Sequence, residues 1–329
     1  MEKGSYLVRT GYLAPKAHRY SGGDMKLEGI HHVTAITGDA PQNVEFYTGV
    51  LGLRLVKKTV NQDDPTIYHL FYADEKGSAG ADITFFEYPG APRGRAGDGM
   101  VHRVVFRAAS EEALDFWEKR IAAEGLTTER VPGSLVFPDR EGLELELAVD
   151  TSGDEPLEAN FAEVPQEFAI RGFDGVHAYA SEPGQSSTLL EDVLSFTSAG
   201  DGAWIARGEQ RGGFYRVDPA PSERPLQGGG TVHHVAWACP MDEHDAWHER
   251  VQRSGMRPTP VIDRFYFRSL YFREPSGVLF EIATLGPGFT ADEDLDTLGE
   301  ALSLPPNYEH LRDKLGDVLT PLPDPRACR

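Results

Sequence analysis

The feature that most restricts the fold is a histidine that returns four times at the head of a strand-like run. "IHHVTAI" carries His31, "VHRVVFRA" His102, "VHAYAS" His177 and "VHHVAWAC" His233. Each run precedes a stretch with apolar residues at helical spacing: "PQNVEFYTGVLGL", "EEALDFWEKRIAAEG", "SSTLLEDVLSF" and "MDEHDAWHERVQRSG". Several of these end at glycine, a common helix stop. Shorter β-like runs follow, such as "LVKKTV", "YHLFYAD" and "ADITFFEYP" in the first copy, and "FYFRSLYFRE" with "GVLFEIATL" in the last. The unit is therefore one strand, one helix and about three strands. A repeat of this size cannot bury its apolar face alone, so copies must pack on one another. The expected class is α+β, with four βαβββ modules forming two half-barrel pairs. Residues 1–26 read as an N-terminal extension, loose or preceded by an early start at Met1 with Met25 shortly before the first strand. Modules one and two fall in 27–165, and modules three and four in 166–288. The segment 289–329 reads as one or two amphipathic helices packed on the outside.

Aligning the copies separates two registers. His31, His102, His177 and His233 share the first; His32, Arg103, Ala178 and His234 share the second. Neighbours on a strand point to opposite faces. If the second register faces the concave side, only copies one and four send an imidazole inward. Glu281 stands in the otherwise apolar "GVLFEIAT", where a carboxylate is costly unless it is paired or binds a metal. Arg264, Arg268 and Arg273 are the alternative partners nearby in sequence. Two imidazoles and one carboxylate suit non-haem Fe(II) with open positions, and Mn(II) or Zn(II) on ligand type alone. Copies one and four would then share the working cup, and copies two and three the other. Gly277 precedes Glu281 as Gly142 precedes Glu146, so Glu146 occupies the ligand position of copy two, opposite Arg103. The expectation is a middle half without metal in which Arg103 and Glu146 pair; the alternative is that Glu144 and Glu146 form a solvated strand face.

These motifs carry a resemblance. "GIHHVTAITGD", "NVEFYTGVLGLRLVKKTVNQDD", "VHHVAW" and "DRFYFRSLYFREPSGVLFEIAT" are similar to the vicinal oxygen chelate superfamily of glyoxalases and extradiol dioxygenases, and most to its hydroquinone ring-cleaving branch. The resemblance covers nearly all of the chain after residue 26. It implies a metal held by His32, His234 and Glu281, ordinarily Fe(II), acting on a small aromatic diol and O2. It also implies that His31, Thr34 and His233 shape the pocket and assist proton transfer, and that Arg264 and Tyr271 line it, with Arg264 stabilising an anionic oxygen. Alternation makes His31 and His233 awkward in that role, unless a twist or bulge turns them. Tyr266 is a further pocket candidate. Structural readings stand beside these: Arg264 paired with Asp263 or Glu274, and Tyr271 as core. Catechol-cleaving relatives place the metal in copies three and four; here His177 has the register of His31, not His32. Other readings are a catechol dioxygenase, a glyoxalase-like lyase or thiol transferase, and a non-catalytic sequestering protein. Modules of this type commonly associate, so a homo-oligomer is expected.

Composition narrows the partners. The chain has 52 acidic and 32 basic residues, a formal charge of −20, which disfavours nucleic acid and anionic membranes. The acids are spread along the chain, as in a protein from a salty cytoplasm. No apolar run reaches the length of a membrane span, roughly 18–20 residues. Cys239 and Cys328 make neither a disulfide framework nor a cysteine metal site, and a reducing cytoplasm is expected. The glycine-rich "YPGAPRGRAGDGMV" reads as a mobile loop near the site mouth.

Overall fold

The computed structural model describes residues 25–324, so the reading of residues 1–24 lies outside the described residues. Module one contains β1 (Ile30–Thr37), α1 (Ala40–Val44) continued by a π-helical turn (Glu45–Val50), β2 (Arg54–Asn61), β3 (Asp64–Ala73) and β4 (Asp82–Glu87). Module two contains β5 (Met100–Ala108), α2 (Glu111–Ala123), β6 (Glu129–Val131), β7 (Ser134–Pro138) and β8 (Glu144–Val149). Module three contains β9 (Phe173–Ala180), two short helical turns (Pro183–Ser186 and Leu189–Val193), β10 (Thr197–Gly200), β11 (Ala203–Arg207) and β12 (Gly212–Pro219). Module four contains β13 (Val232–Cys239), α3 (His244–Arg253), β14 (Ile262–Asp263), β15 (Arg268–Arg273) and β16 (Leu279–Thr284).

The strands form two eight-stranded sheets. One has the order β14-β15-β16-β13-β1-β4-β3-β2, joining modules four and one; the other has β10-β11-β12-β9-β5-β8-β7-β6, joining three and two. This is the pairing that the distribution of second-register histidines requires. The seam β1–β13 is antiparallel and carries two bulges. Ile30 faces Trp237 and His32 faces Ala236, so His31 is the extra residue; Thr34 faces His234 and Ala35 faces Val232, so His233 is the extra residue on the other strand. A bulge breaks strict alternation and re-aims the side chains beside it. These bulges set His31 against His32 and His233 against His234, ring nitrogen to ring nitrogen.

The helices follow from local chemistry. Ser110 caps α2 by accepting from the Ala113 N–H at 3.3 Å, and Glu111 and Glu112 occupy the first turn, where the helix dipole favours acids. Ala113, Leu114, Trp117 and Ile121 form its buried face, at helical spacing. Complete burial of such a large apolar side chain contributes about 1.5–3 kcal/mol. In α3 the buried face is His244, Trp247 and Val251. Gly277, at φ +106°, supports the tight turn that delivers β16 and Glu281 to the seam, a backbone position few other residues adopt.

The C-terminal segment differs from expectation. It is not an amphipathic helix pair: it holds short 3-10 turns at Phe289–Ala291, Leu295–Thr297 and Pro306–Leu311, and one four-residue helix, α4 (Arg312–Leu315). Pro305, Pro306, Gly299 and Gly316 interrupt the helical periodicity. The segment nevertheless packs firmly, burying Leu298, Leu304, Leu315 and Leu319. Lys57 is fully buried beneath it and donates to Asp292 at 2.8 Å, to Glu293, and to the Phe289 carbonyl at 3.2 Å. The glycine-rich loop is also not a free flap. Gly94 donates to the Gly229 carbonyl and Arg95 exchanges backbone bonds with Leu226, which ties the loop to the segment before β13. Among the described residues no helix is long and apolar enough to cross a membrane.

Candidate metal centre and pocket

The seam brings His32 and His234 together, and β16 adds Glu281 from the strand beside β13. The two Nε2 atoms lie 3.1 Å apart, and the Glu281 Oε2 atom lies 3.2 Å from His32 Nε2 and 3.0 Å from His234 Nε2. All three side chains are buried, and neither oxygen of Glu281 has an ordinary hydrogen-bond partner. An unpartnered carboxylate in such a place is expensive. Ligands held about 2.1 Å from one ion at right angles stand roughly 3.0 Å from each other, so the three donors fit one face of a coordination shell. None of Arg264, Arg268 or Arg273 pairs with Glu281; their carboxylate partners are Asp63 for Arg264 and Asp245 for Arg268, while Arg273 donates to the Gly277 carbonyl.

The flanking histidines fix how the ligands present themselves. His31 Nε2 donates to the Thr284 carbonyl at 3.1 Å, so its Nδ1 accepts, and it sits 2.9 Å from His32 Nδ1. His32 must then carry its proton on Nδ1 and present a bare Nε2 towards Glu281. His233 Nδ1 stands 2.8 Å from His234 Nδ1. Burial, and next the neighbouring ligand histidines, hold both flanking rings at about 3, so they remain neutral. Burial likewise lowers His234. Burial pushes Glu281 up, but the His32 and His234 contacts outweigh it and the carboxyl is held well below its ordinary range.

In front of these donors lies a pocket enclosing about 430 Å³ of space, part of it open to solvent, lined by Asn61, Gln62, His69, Phe71, Phe86 and Phe267 among others. Arg264, Tyr266 and Tyr271 also line it. Arg264 grips Asp63 with two hydrogen bonds, at 3.1 and 2.9 Å, and its guanidinium lies 5.6 Å over the Tyr271 ring. Tyr271 faces Glu281 across the β15–β16 pair, and burial raises its hydroxyl, keeping it protonated. Phe265 between these residues has φ +71°, held by Asp263 accepting from its N–H at 2.8 Å. Such a conformation costs of order 1–3 kcal/mol and turns the flanking residues towards the pocket.

His31, Thr34 and His233 do not reach this pocket. His31 stands behind His32. Thr34 bonds Thr84 at 2.8 Å in the strand layer. His233 lines a second cavity of about 810 Å³, together with His234, Tyr88, Met100, Gln227 and Arg273. Conversely, sequence reasoning passed over His69. It sits between Phe71 and Phe86, ring centroids 4.0 and 4.4 Å away, and its Nε2 bonds the Thr84 hydroxyl at 2.9 Å. The available signal was a lone imidazole in the aromatic run "YHLFYAD" of copy one. Burial, then His32 and His234, hold His69 well below its ordinary value.

Comparison with known proteins agrees with this architecture. The family model of the glyoxalase/bleomycin resistance protein/dioxygenase superfamily matches residues 29–159 and 174–282. The chain belongs to that superfamily. Superfamily relatives include MhqO of Bacillus subtilis, provisionally described as a ring-cleaving dioxygenase, 41% identical over 90% of this chain and 97% of its own length. The chlorohydroquinone/hydroquinone 1,2-dioxygenase of Sphingobium indicum is 32% identical over 88% of this chain and 95% of its own. A crystal structure from Bacillus subtilis, provisionally described as a dioxygenase, superposes with TM-score 0.84 at 40% identity, over 91% of this chain and 98% of that one. Maize glyoxalase I shares the fold, with TM-score 0.52 at 14% identity over 80% of this chain and 93% of that one. In this superfamily member the second cup has no equivalent triad: Arg103 donates to Glu146 at 2.9 Å and to Glu144 at 2.6 Å. The expected ion pair forms, and it captures both glutamates of the alternating face.

Proposed function

We propose that this protein is a ring-cleaving dioxygenase that inserts O2 into a hydroquinone-type ring, using Fe(II) held by His32, His234 and Glu281. One observation carries the reading: a buried, unpartnered carboxylate converges with two imidazole nitrogens at the floor of an aromatic pocket. The names of the Bacillus and Sphingobium relatives support the reaction class and the substrate. Ferrous iron held by His32, His234 and Glu281 would supply the electron transfer between ring and O2 that the side chains themselves cannot provide. The chain supplies the rest. Phe71, Phe86 and Phe267 sandwich the ring and exclude water. Arg264, oriented by Asp63, steadies the negative charge of a deprotonated ring oxygen. His69 bonds Thr84 through Nε2 and, held neutral by burial, offers Nδ1 as a hydrogen-bond acceptor that orients a ring hydroxyl. His31 and His233 hold the ligand tautomers and thereby the facial arrangement. Thr34 steadies Thr84 beneath His69, and Tyr271, its hydroxyl kept protonated by burial, offers a donor on the pocket wall. The enzyme works as a cytoplasmic homo-oligomer, which light scattering on the purified protein checks.

The test is oxygen uptake after anaerobic loading with Fe(II), on hydroquinone, methylhydroquinone, chlorohydroquinone and catechol in parallel, with His234→Ala as the blank. Uptake on the hydroquinones that vanishes in the blank is the expected result. Uptake on catechol alone would move the protein to the ortho-diol enzymes. No uptake on any ring, with metal bound, would overturn the reading.

A further inference from the structure

The second cup contains a cluster that the ring-cleaving reading does not use. His102 Nε2 lies 2.9 Å from Asp218 Oδ2, and His177 Nδ1 lies 2.8 Å from the same oxygen. The donors come from three adjacent strands, β5, β9 and β12. We infer that His102, His177 and Asp218 form a second divalent-cation site, of zinc type, in the middle half of the chain.

This site is not the counterpart of the first. The positions equivalent to His32, His234 and Glu281 are Ala178, Arg103 and Glu146, and these hold an ion pair and a methyl group. The new cluster uses the other register. The bulge that makes His31 the extra residue of β1 recurs on β5: Val101 faces Ala178 and Arg103 faces His177, leaving His102 as the extra residue. In the first cup that bulge stacks His31 behind a ligand. In the second cup Arg103 is already engaged by two glutamates, and His102 is carried to Asp218 instead.

Three observations favour an ion over a simple hydrogen-bonded staple. First, the donors converge: one nitrogen of each ring lies within 2.9 Å of the same Asp218 oxygen, and the three donor atoms all lie within 4.8 Å of one another. Second, both rings are clamped before any ion arrives. His102 stacks on Tyr179 at 3.8 Å and 9°, and His177 meets the Phe214 ring edge-on at 5.5 Å. Third, the far nitrogen of His102, Nδ1, faces Glu144 Oε2 at 3.6 Å. A carboxylate behind an imidazole orients and strengthens a metal-binding histidine. Two imidazoles and one carboxylate suit zinc, with water completing the shell. Exposure permits that: the side chain of Asp218 is 31% exposed and that of His177 14%. An ion at ordinary bond lengths would spread the donors by about half an ångström and would displace the protons they now share.

Metal counting decides the matter. The full-length protein is stripped with a chelator, equilibrated with excess Zn2+, desalted and analysed by emission spectrometry. Two ions per chain are expected in the unaltered protein. One is expected in His234→Ala, one in His177→Gln and one in Asp218→Asn, with circular dichroism confirming the fold. If Asp218→Asn does not fold, His177→Gln at a partly exposed position carries the test. Co2+ gives an independent reading: His234→Ala should still show a visible absorption band, and adding His177→Gln should abolish it. One ion in the unaltered protein with none in His234→Ala overturns the inference. So does a count of two that neither second-cup substitution reduces. Because His234→Ala reads this cluster alone, the result is independent of whatever the pocket catalyses.

Discussion

At the scale of single residues, what matters is which nitrogen holds a proton. His31 Nδ1 accepts a hydrogen bond from the Nδ1–H of His32 only because its own Nε2–H is committed to the Thr284 carbonyl. Its replacement by alanine should weaken metal binding on the order of 10- to 100-fold, as loss of a ligand's supporting partner does. Chelator competition measures this, and KM for the ring should scarcely move, because His31 does not line the pocket. Arg264→Lys keeps the charge but loses the two-pronged grip on Asp63. Turnover should fall on the order of 10²-fold, with bound metal unchanged; equal turnover would remove Arg264 from the chemistry. In the second cup, His102 and Arg103 hold Glu144 down at about 2. The folded carboxyl is thus more acidic than the ordinary 4.5, so its contribution is complete above that value and disappears as pH falls towards 2. Glu144→Gln should flatten the acid limb of urea midpoints measured between those values; an unchanged slope would mean the pairing contributes nothing. The convergence of His32, His234 and Glu281 was legible because a repeat supplies internal controls: His32 and His234 differ from Arg103 and Ala178 at one aligned position. His69 was not, because copies two to four offer no matching residue and a single histidine in a strand is ordinarily core.

At the scale of elements, strands and helices could be read from apolar spacing, since each module buries one face in the same way. The bulges could not. They depend on how β1 and β13 pair across the molecule, and local alternation predicts the opposite orientation for His31. The C-terminal segment failed for a related reason. Its leucines have helical spacing, yet prolines and glycines break the backbone, and Lys57 on a distant strand sets its path. That lysine joins Asp292 and Glu293, and Asp292 accepts from the Tyr266 hydroxyl at 2.9 Å on the pocket wall. The tail is therefore part of the pocket's framework. Lys57→Met keeps the bulk but strands two partly buried acids, and unfolding free energy should drop by roughly 3 kcal/mol. Urea denaturation measures this. A loss below about 1 kcal/mol would place the pair among weak surface bridges instead.

At the scale of the whole molecule, the two cups show how one scaffold diverges: β1, β13 and β16 gather His32, His234 and Glu281 with open space before them, while β5 and β8 fill the matching positions with Arg103 and its glutamates. Over both lies a surface carrying a net charge of −20. Two electrostatic effects compete there. Repulsion among the spread acids opposes compaction and is relieved by salt. Ion pairs favour the fold and are weakened by salt, but only where solvent reaches them. Some pairs are sheltered: Arg107, with its side chain 2% exposed, meets Asp154, 5% exposed, at 2.7 Å. Exposed pairs such as Arg253–Glu249 and Arg312–Glu309 contribute little at any ionic strength. Repulsion should therefore dominate the salt response. The screening length falls from roughly 30 Å at 0.01 M to 3 Å at 1 M, so the urea midpoint should rise steadily with NaCl over that range. Chloride is the salt to use, because sulfate would also strengthen apolar burial and blur the cause. A midpoint that falls with NaCl would mean that attraction between opposite charges, not repulsion among acids, governs this surface.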